Sequence, residues 1–171
     1  MSSLEQIENR IDALIQNIRT SYPDWLCRRG CDECCRRLAS LPLMTRAEWI
    51  RLKEGLLLIP SSDREDLISH IHALSGVTGF VVCPMLDPSD GACRVYAHRP
   101  LACRTYGYYT QKGVGLHCKQ IEHQIDQGLL GQVVWGNQDA LEKDLRAEGS
   151  QRSLAEWIAC PRDGMDPRAT S

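Results

Sequence analysis

The sequence predicts a mainly α protein: helices packed around an irregular cysteine-rich metal-binding centre, with at most two short strands. Three observations predict it. Apolar residues recur at helical spacing along much of the chain. Capping signals open those stretches. Two intervening segments without helical period hold eight of the nine cysteines found among 171 residues.

Residues 3–20 place Leu4, Ile7, Ile11, Leu14, Ile15 and Ile18 on one stripe. Ser3 with Gln6 offers a capping box there, and Pro23 stands just past the expected end. A second helix is expected from Thr45, where Thr45 and Glu48 form a box ahead of Trp49, Leu52 and Leu56. Gly55 and Pro60 weaken its end. The third helix, "SSDREDLISHIHAL", has Ser62 and Glu65 as its box and Leu67, Ile68, Ile71 and Leu74 as its stripe; Gly76 and Gly79 close it. From Phe80 the chain turns β-rich and proline-rich, which predicts two short strands or extended segments around a turn at Pro88–Gly91, then a tight cysteine-rich loop. Beyond Cys118, "CKQIEHQIDQGLL" is amphipathic, Asn137 is expected to cap "QDALEKDLRAEG", and Ser153 with Glu156 boxes "SLAEWIAC". With no repeat and no linker, one domain over residues 1–171 is expected: an N-terminal helix (1–24), a cysteine-rich core with two inserted helices (25–118), and a C-terminal helical segment and tail (119–171).

The formal net charge of −2 argues against nucleic acid or an anionic membrane as partner. The start "MSSLEQIENRIDALIQ" lacks the basic and apolar regions of a signal peptide, and no apolar run approaches the ~18 residues of a membrane span. A cytoplasmic location is therefore expected. In that reducing compartment, cysteine-rich spacing reads as metal binding or redox work before disulfides.

The cysteines fall as Cys27-x3-Cys31-x2-Cys34-Cys35 and then Cys83-x9-Cys93-x9-Cys103-x14-Cys118. Closely spaced thiolates serve one ion, because a short turn brings both sulfurs to bonding distance. Zinc takes four such ligands, and a [4Fe–4S] cluster also takes four. Eight cysteines supply two four-ligand sites, or one site and spares. The expected ligands are Cys31, Cys34, Cys35, Cys83, Cys93 and Cys103, with Cys27 and Cys118 as extras. Adjacent side chains tend to diverge, so Cys34 and Cys35 are expected to serve different metals or different irons of one cluster. Arg28, Arg36, Arg94, Arg104 and Lys119 each directly follow a cysteine. Cations there offset the charge of a thiolate-ligated metal and lower thiol pKa values. Cys160, alone after an apolar run, reads as a buried free thiol. His70 and His72 lie two apart on a helix and do not share a face.

No phosphate-binding loop, dinucleotide fingerprint, zinc-protease helix or nucleophile elbow is present. Two functions stay open. One is a protein with a cysteine-ligated iron or iron–sulfur centre, redox-active toward a small-molecule substrate or as an electron carrier. The other is a structural zinc-binding or metal-handling module that works through a protein partner and is no enzyme. No specific reaction is assigned.

"CRRGCDECC" followed by "CPMLDPSDGACRVYAHRPLACRTYG" resembles the CxxCxxCC (YkgJ-type) family, whose members are described as zinc- or iron-chelating domains, some as iron–sulfur oxidoreductases. The match rests on Cys83, Pro84, Leu86, Gly91, Cys93, Val95, Tyr96, Arg99, Pro100, Cys103 and Arg104. The gap after Cys27 holds three residues where the family name has two. The resemblance implies a bound metal centre and no particular substrate. Within this motif Pro100 fixes the backbone and biases Arg99 towards an extended form. Arg99 and Arg104 then read as cations behind the sulfurs or as anion ligands. Tyr96 is expected to pack over the centre or to hydrogen-bond a ligand.

Overall fold

A computed structural model describes residues 3–160, 162, 163 and 165. The elements in chain order are α1 (Ser3–Ser21), α2 (Glu33–Arg36), β1 (Leu43–Met44), α3 (Arg46–Leu57), α4 (Ser61–Ala73), a 3-10 turn (Tyr96–His98), α5 (Leu101–Thr105), β2 (Tyr109–Gln111), β3 (Val114–Leu116), α6 (Lys119–Asp126), β4 (Gly136–Asn137), α7 (Gln138–Glu148), β5 (Arg152–Ser153) and α8 (Leu154–Ile158). The fold is mainly α.

Local chemistry sets most helix starts. Thr45 and Glu48 close a full capping box on α3, and Ser153 and Glu156 do so on α8. The Asn137 side chain accepts from the Ala140 N–H at the head of α7. The expected box of Ser62 and Glu65 does not form. Instead α4 starts at Ser61, and the carbonyl of Pro60 accepts the Arg64 N–H at 2.9 Å. The ring of Pro60 holds φ at −49° and presets the turn, so no side-chain cap is required. In α1, Ser3 already belongs to the helix, which moves the capping position to residue 2, outside the described residues.

The described residues contain five short strands rather than at most two. β1 pairs antiparallel with β5, and β3-β2-β4 form a three-stranded sheet in which β2 runs antiparallel to β3 and parallel to β4. Each strand is two or three residues long, too short for an alternating pattern, and the β1–β5 partners come from opposite ends of the chain. The β2–β3 turn places Lys112 at φ 49° and Gly113 at φ 79°, the doubly left-handed geometry of a tight hairpin. The segments flanking Pro88–Gly91 are extended as expected but share only the bridge Leu86↔Cys93.

Apolar burial splits into two cores. The first joins α3, α4 and α8 around Trp49, Leu52, Leu56, Leu67, Ile71, Trp157 and Ile158. In it Trp49 and Trp157 stack at 6.3 Å and 7°. The second joins α1, α7 and the β2 region around Ile7, Ile11, Trp25, Leu101, Tyr108 and Leu141. Cys83 and Cys93 pack against the first core, Cys27 and Cys118 against the second. Cys160 also packs against the first core. Cys27, Cys83, Cys93 and Cys118 thus mark a thiol-bearing seam that touches both cores. None of the described helices is long and apolar enough to cross a membrane.

Candidate metal centre

Two excursions from the helical frame deliver the thiols, and backbone bonds tie them together. Cys34 and Cys35 sit on the single turn of α2. Just beyond, Leu38 and Val81 exchange both bridge hydrogen bonds at 2.9 Å, and Cys83 N–H donates to the Cys35 carbonyl at 2.6 Å. This short ribbon sets Cys35 beside Cys83. Gly91, at φ 70°, turns the next loop back so that Leu86 bridges Cys93. Pro100 then opens α5, which carries Cys103. Cys118 is the N-cap of α6. Gly107 stands at φ 91°, and a Cβ there would come within 2.9 Å of the Cys27 sulfur, so packing as well as conformation requires glycine.

All nine cysteines are free and half-buried. The Cys34 and Cys35 sulfurs lie 4.0 Å apart. Two sulfurs on one tetrahedral zinc are separated by about 3.8 Å, given Zn–S near 2.3 Å. The adjacent side chains thus lie in contact rather than diverging, at a spacing close to that of two sulfurs on one ion. Burial pushes the Cys103 and Cys27 thiols up to about 12, with the neighbouring Cys34 adding to both. Cys34 is raised by its hydrogen bond with Cys35 and by burial. That same bond pulls Cys35 down, but Cys83 and burial outweigh it and leave Cys35 at about 12. Burial also raises Cys31 and Cys93. These pairwise couplings form one connected set, with Cys34 beside Cys27, Cys31, Cys35, Cys93 and Cys103, Cys83 joined through Cys35 and Cys118 through Cys31. Cys160 lies apart, beside Arg152 at 3.9 Å, and the backbone N–H groups of Asp163 and Arg162 lower its thiol pKa.

The cations are arranged differently from the sequence expectation. A residue next to an inward cysteine points elsewhere, and so it is here. Arg36 pairs with Asp32, and Arg94 faces Asp87 at 3.9 Å. Arg104 is buried against α1, where it binds Glu8 at 2.9 Å and Asp12 at 2.5 Å. Arg99 is the cation that favours the thiolates of Cys27, Cys34, Cys93 and Cys103. Its guanidinium lies 3.6 Å from the centroid of the Tyr96 ring, and its Nε donates to the Tyr96 carbonyl at 3.0 Å. Tyr96 is thus the platform that orients Arg99. Arg29 lies 5.7 Å from the same ring and also acts on Cys93. Sequence reasoning missed Arg29, and likewise the two tyrosines around Cys27. Tyr108 donates to the Cys27 carbonyl at 2.5 Å, and the Cys27 sulfur lies 3.6 Å from the Tyr106 carbonyl. "TYGYYT" beside Cys103 was the available signal for those tyrosines.

Arg104→Ala is expected to cost about 1–2 kcal/mol, because it removes a buried cation that pairs Glu8 and Asp12, with Arg51 left as the partner of Glu8, while the metal content per chain stays unchanged. Urea unfolding and elemental analysis check the two halves of this expectation. Loss of metal would place Arg104 at the centre after all.

The donor set fits zinc or iron: soft thiolates suit zinc and iron–sulfur centres. In this geometry no three His, Cys, Asp or Glu side chains among the described residues converge on one ion. No curated protein and no solved structure matches the chain. A family match spans residues 26–127, more than half of the sequence, and carries the description "Putative zinc- or iron-chelating domain". It covers every cysteine of the seam, and on that match the chain belongs to the CxxCxxCC family.

Proposed function

We propose that this protein binds a zinc or iron centre through thiolates and that the bound metal clasps its two cores together. One observation carries the reading: eight half-buried thiols from two chain segments are linked as electrostatic neighbours, with Cys83 and Cys93 on one core and Cys27 and Cys118 on the other. Cys34 links the two sides: it acts on Cys93 and Cys103, and with Cys27 and Cys118 it acts on Tyr106. Arg99, held on Tyr96, supplies positive charge toward the thiolates. Bound metal would supply a covalent-strength cross-link there, and iron–sulfur chemistry would add one-electron transfer. The spacing of Cys34 and Cys35 supports a single tetrahedral ion shared by both. An iron–sulfur centre with redox work is the second reading, favoured by twice as many thiols as one tetrahedral ion requires.

Elemental analysis with a visible spectrum, on protein purified without oxygen and without added metal, separates these. Zinc and no colour supports the clasp, and iron with inorganic sulfide supports the redox reading. Absence of both metals would overturn the proposal. Burial raises the Cys27 and Cys103 thiols, which favours their protonated form in the metal-free chain. Metal takes the thiolate, so binding releases protons and tightens as pH rises, by about tenfold per pH unit for each ligating thiol. An indicator dye in weak buffer reads about one proton released per thiolate formed.

A further inference from the structure

We propose that a cleft beside Cys83 is the loading route of the thiol centre, and that Asp66 and His70 capture a divalent cation there before it reaches the sulfurs. This rests on the metal-binding reading above. The cleft, of about 590 Å³, is walled by one face of α4 and by the chain from Val82 to Pro88, and Cys83 lines it. Asp63, Asp66 and His70 lie three and four residues apart on that face, so their side chains project in one direction. Asp66 and His70 are exposed, and among the described residues neither side chain has a hydrogen bond or ion pair.

Charge decides which ligand suits the cleft. Arg36 and Arg94 also line it, yet each faces a carboxylate of its own, Asp32 and Asp87 respectively. Asp63 receives only the neutral Ser62 hydroxyl at 3.1 Å. The carboxylates of Asp63 and Asp66 are therefore the uncompensated charges, and they draw cations rather than anions. Imidazole and carboxylate suit zinc and ferrous iron. Two protein ligands completed by water hold an ion weakly, as transit requires, and the thiolates beyond bind it more tightly. In the transfer, the metal's bonds to Asp66 and His70 break and a bond to the Cys83 sulfur forms. The thiol proton leaves to water in the cleft.

The test mixes the reduced, metal-free full chain with Co²⁺ alone in a stopped-flow instrument. It follows the thiolate-to-cobalt charge-transfer absorption. Asp66→Asn/His70→Gln is expected to slow uptake about tenfold at low salt, the lower end of what electrostatic steering achieves, with final absorbance and cobalt stoichiometry unchanged. Glu65→Gln, on the same helix but outside the cleft, is expected to match the wild type. Should the double variant lose its far-UV circular dichroism, each single variant carries the same comparison. Uptake by the double variant within twofold of wild type would overturn the loading route and leave the thiol centre standing. A lower final stoichiometry would overturn it too, making the pair resident ligands. No thiolate–cobalt band in the wild type would remove the centre and the route together.

Discussion

Chelation of the bound metal is expected to lower the thermal midpoint of the full chain by about 8–16 °C. A metal present at a thousandfold over its dissociation constant stabilises the folded state by about 4 kcal/mol. Each kcal/mol moves the midpoint of a chain this size by about 2–4 °C. The physical reason is the position of the thiols. Cys83 and Cys93 pack on one core and Cys27 and Cys118 on the other, so metal removal loosens the joint between two small cores, neither large. Cys103→Ser or Cys93→Ser is expected to reproduce most of the loss, because serine is a poor ligand for a soft centre. Cys160→Ser, on the first core but with no other thiol acting on it, is expected to keep its metal. Melting curves with and without chelator, read beside metal content, check all three. Equal midpoints and full metal occupancy in the Cys93 and Cys103 variants would sink the assignment.

Glu48→Ala is expected to cost about 3–5 kcal/mol, the upper range for a single substitution. Glu48 is 4% exposed and accepts three hydrogen bonds. Oε2 takes the Thr45 N–H at 2.8 Å and the Thr45 hydroxyl at 3.0 Å, and Oε1 takes the Leu101 N–H at 2.9 Å. Alanine leaves three buried donors without partners at about 1–3 kcal/mol each. The bond to Leu101 matters beyond stability, since Leu101 opens the short helix that carries Cys103. The variant is therefore expected to weaken metal retention as well as urea resistance. Glu48→Gln keeps a carbonyl oxygen but turns an amide towards one donor, and about half the loss is expected. A denaturation midpoint unchanged in Glu48→Ala would show that solvent reaches these donors.

The capping boxes of Thr45 and Ser153, the Asn137 cap and the stripes of α1, α3 and α4 were legible from the sequence because each depends on residues within one or two turns. The same locality explains why Glu48 was read only as half of a box. Its third bond reaches Leu101, 53 residues away, and no local pattern encodes that. The strands were underestimated for a related reason: β1 and β5 pair two residues each across the length of the chain.

By itself the sequence determined the mainly α character, the identity of the thiol set and the family, since donor chemistry and spacing are written in residue types. Only the tertiary structure decided which groups meet. It turned Arg104 away to Glu8 and Asp12 and brought Arg99 and Arg29 to the Tyr96 ring. It set the Cys34 and Cys35 sulfurs within 4.0 Å and packed Cys83 and Cys93 on one core and Cys27 and Cys118 on the other. Side-chain direction and the packing of distant segments are set by the whole chain's burial, and adjacency to a cysteine in sequence does not fix them.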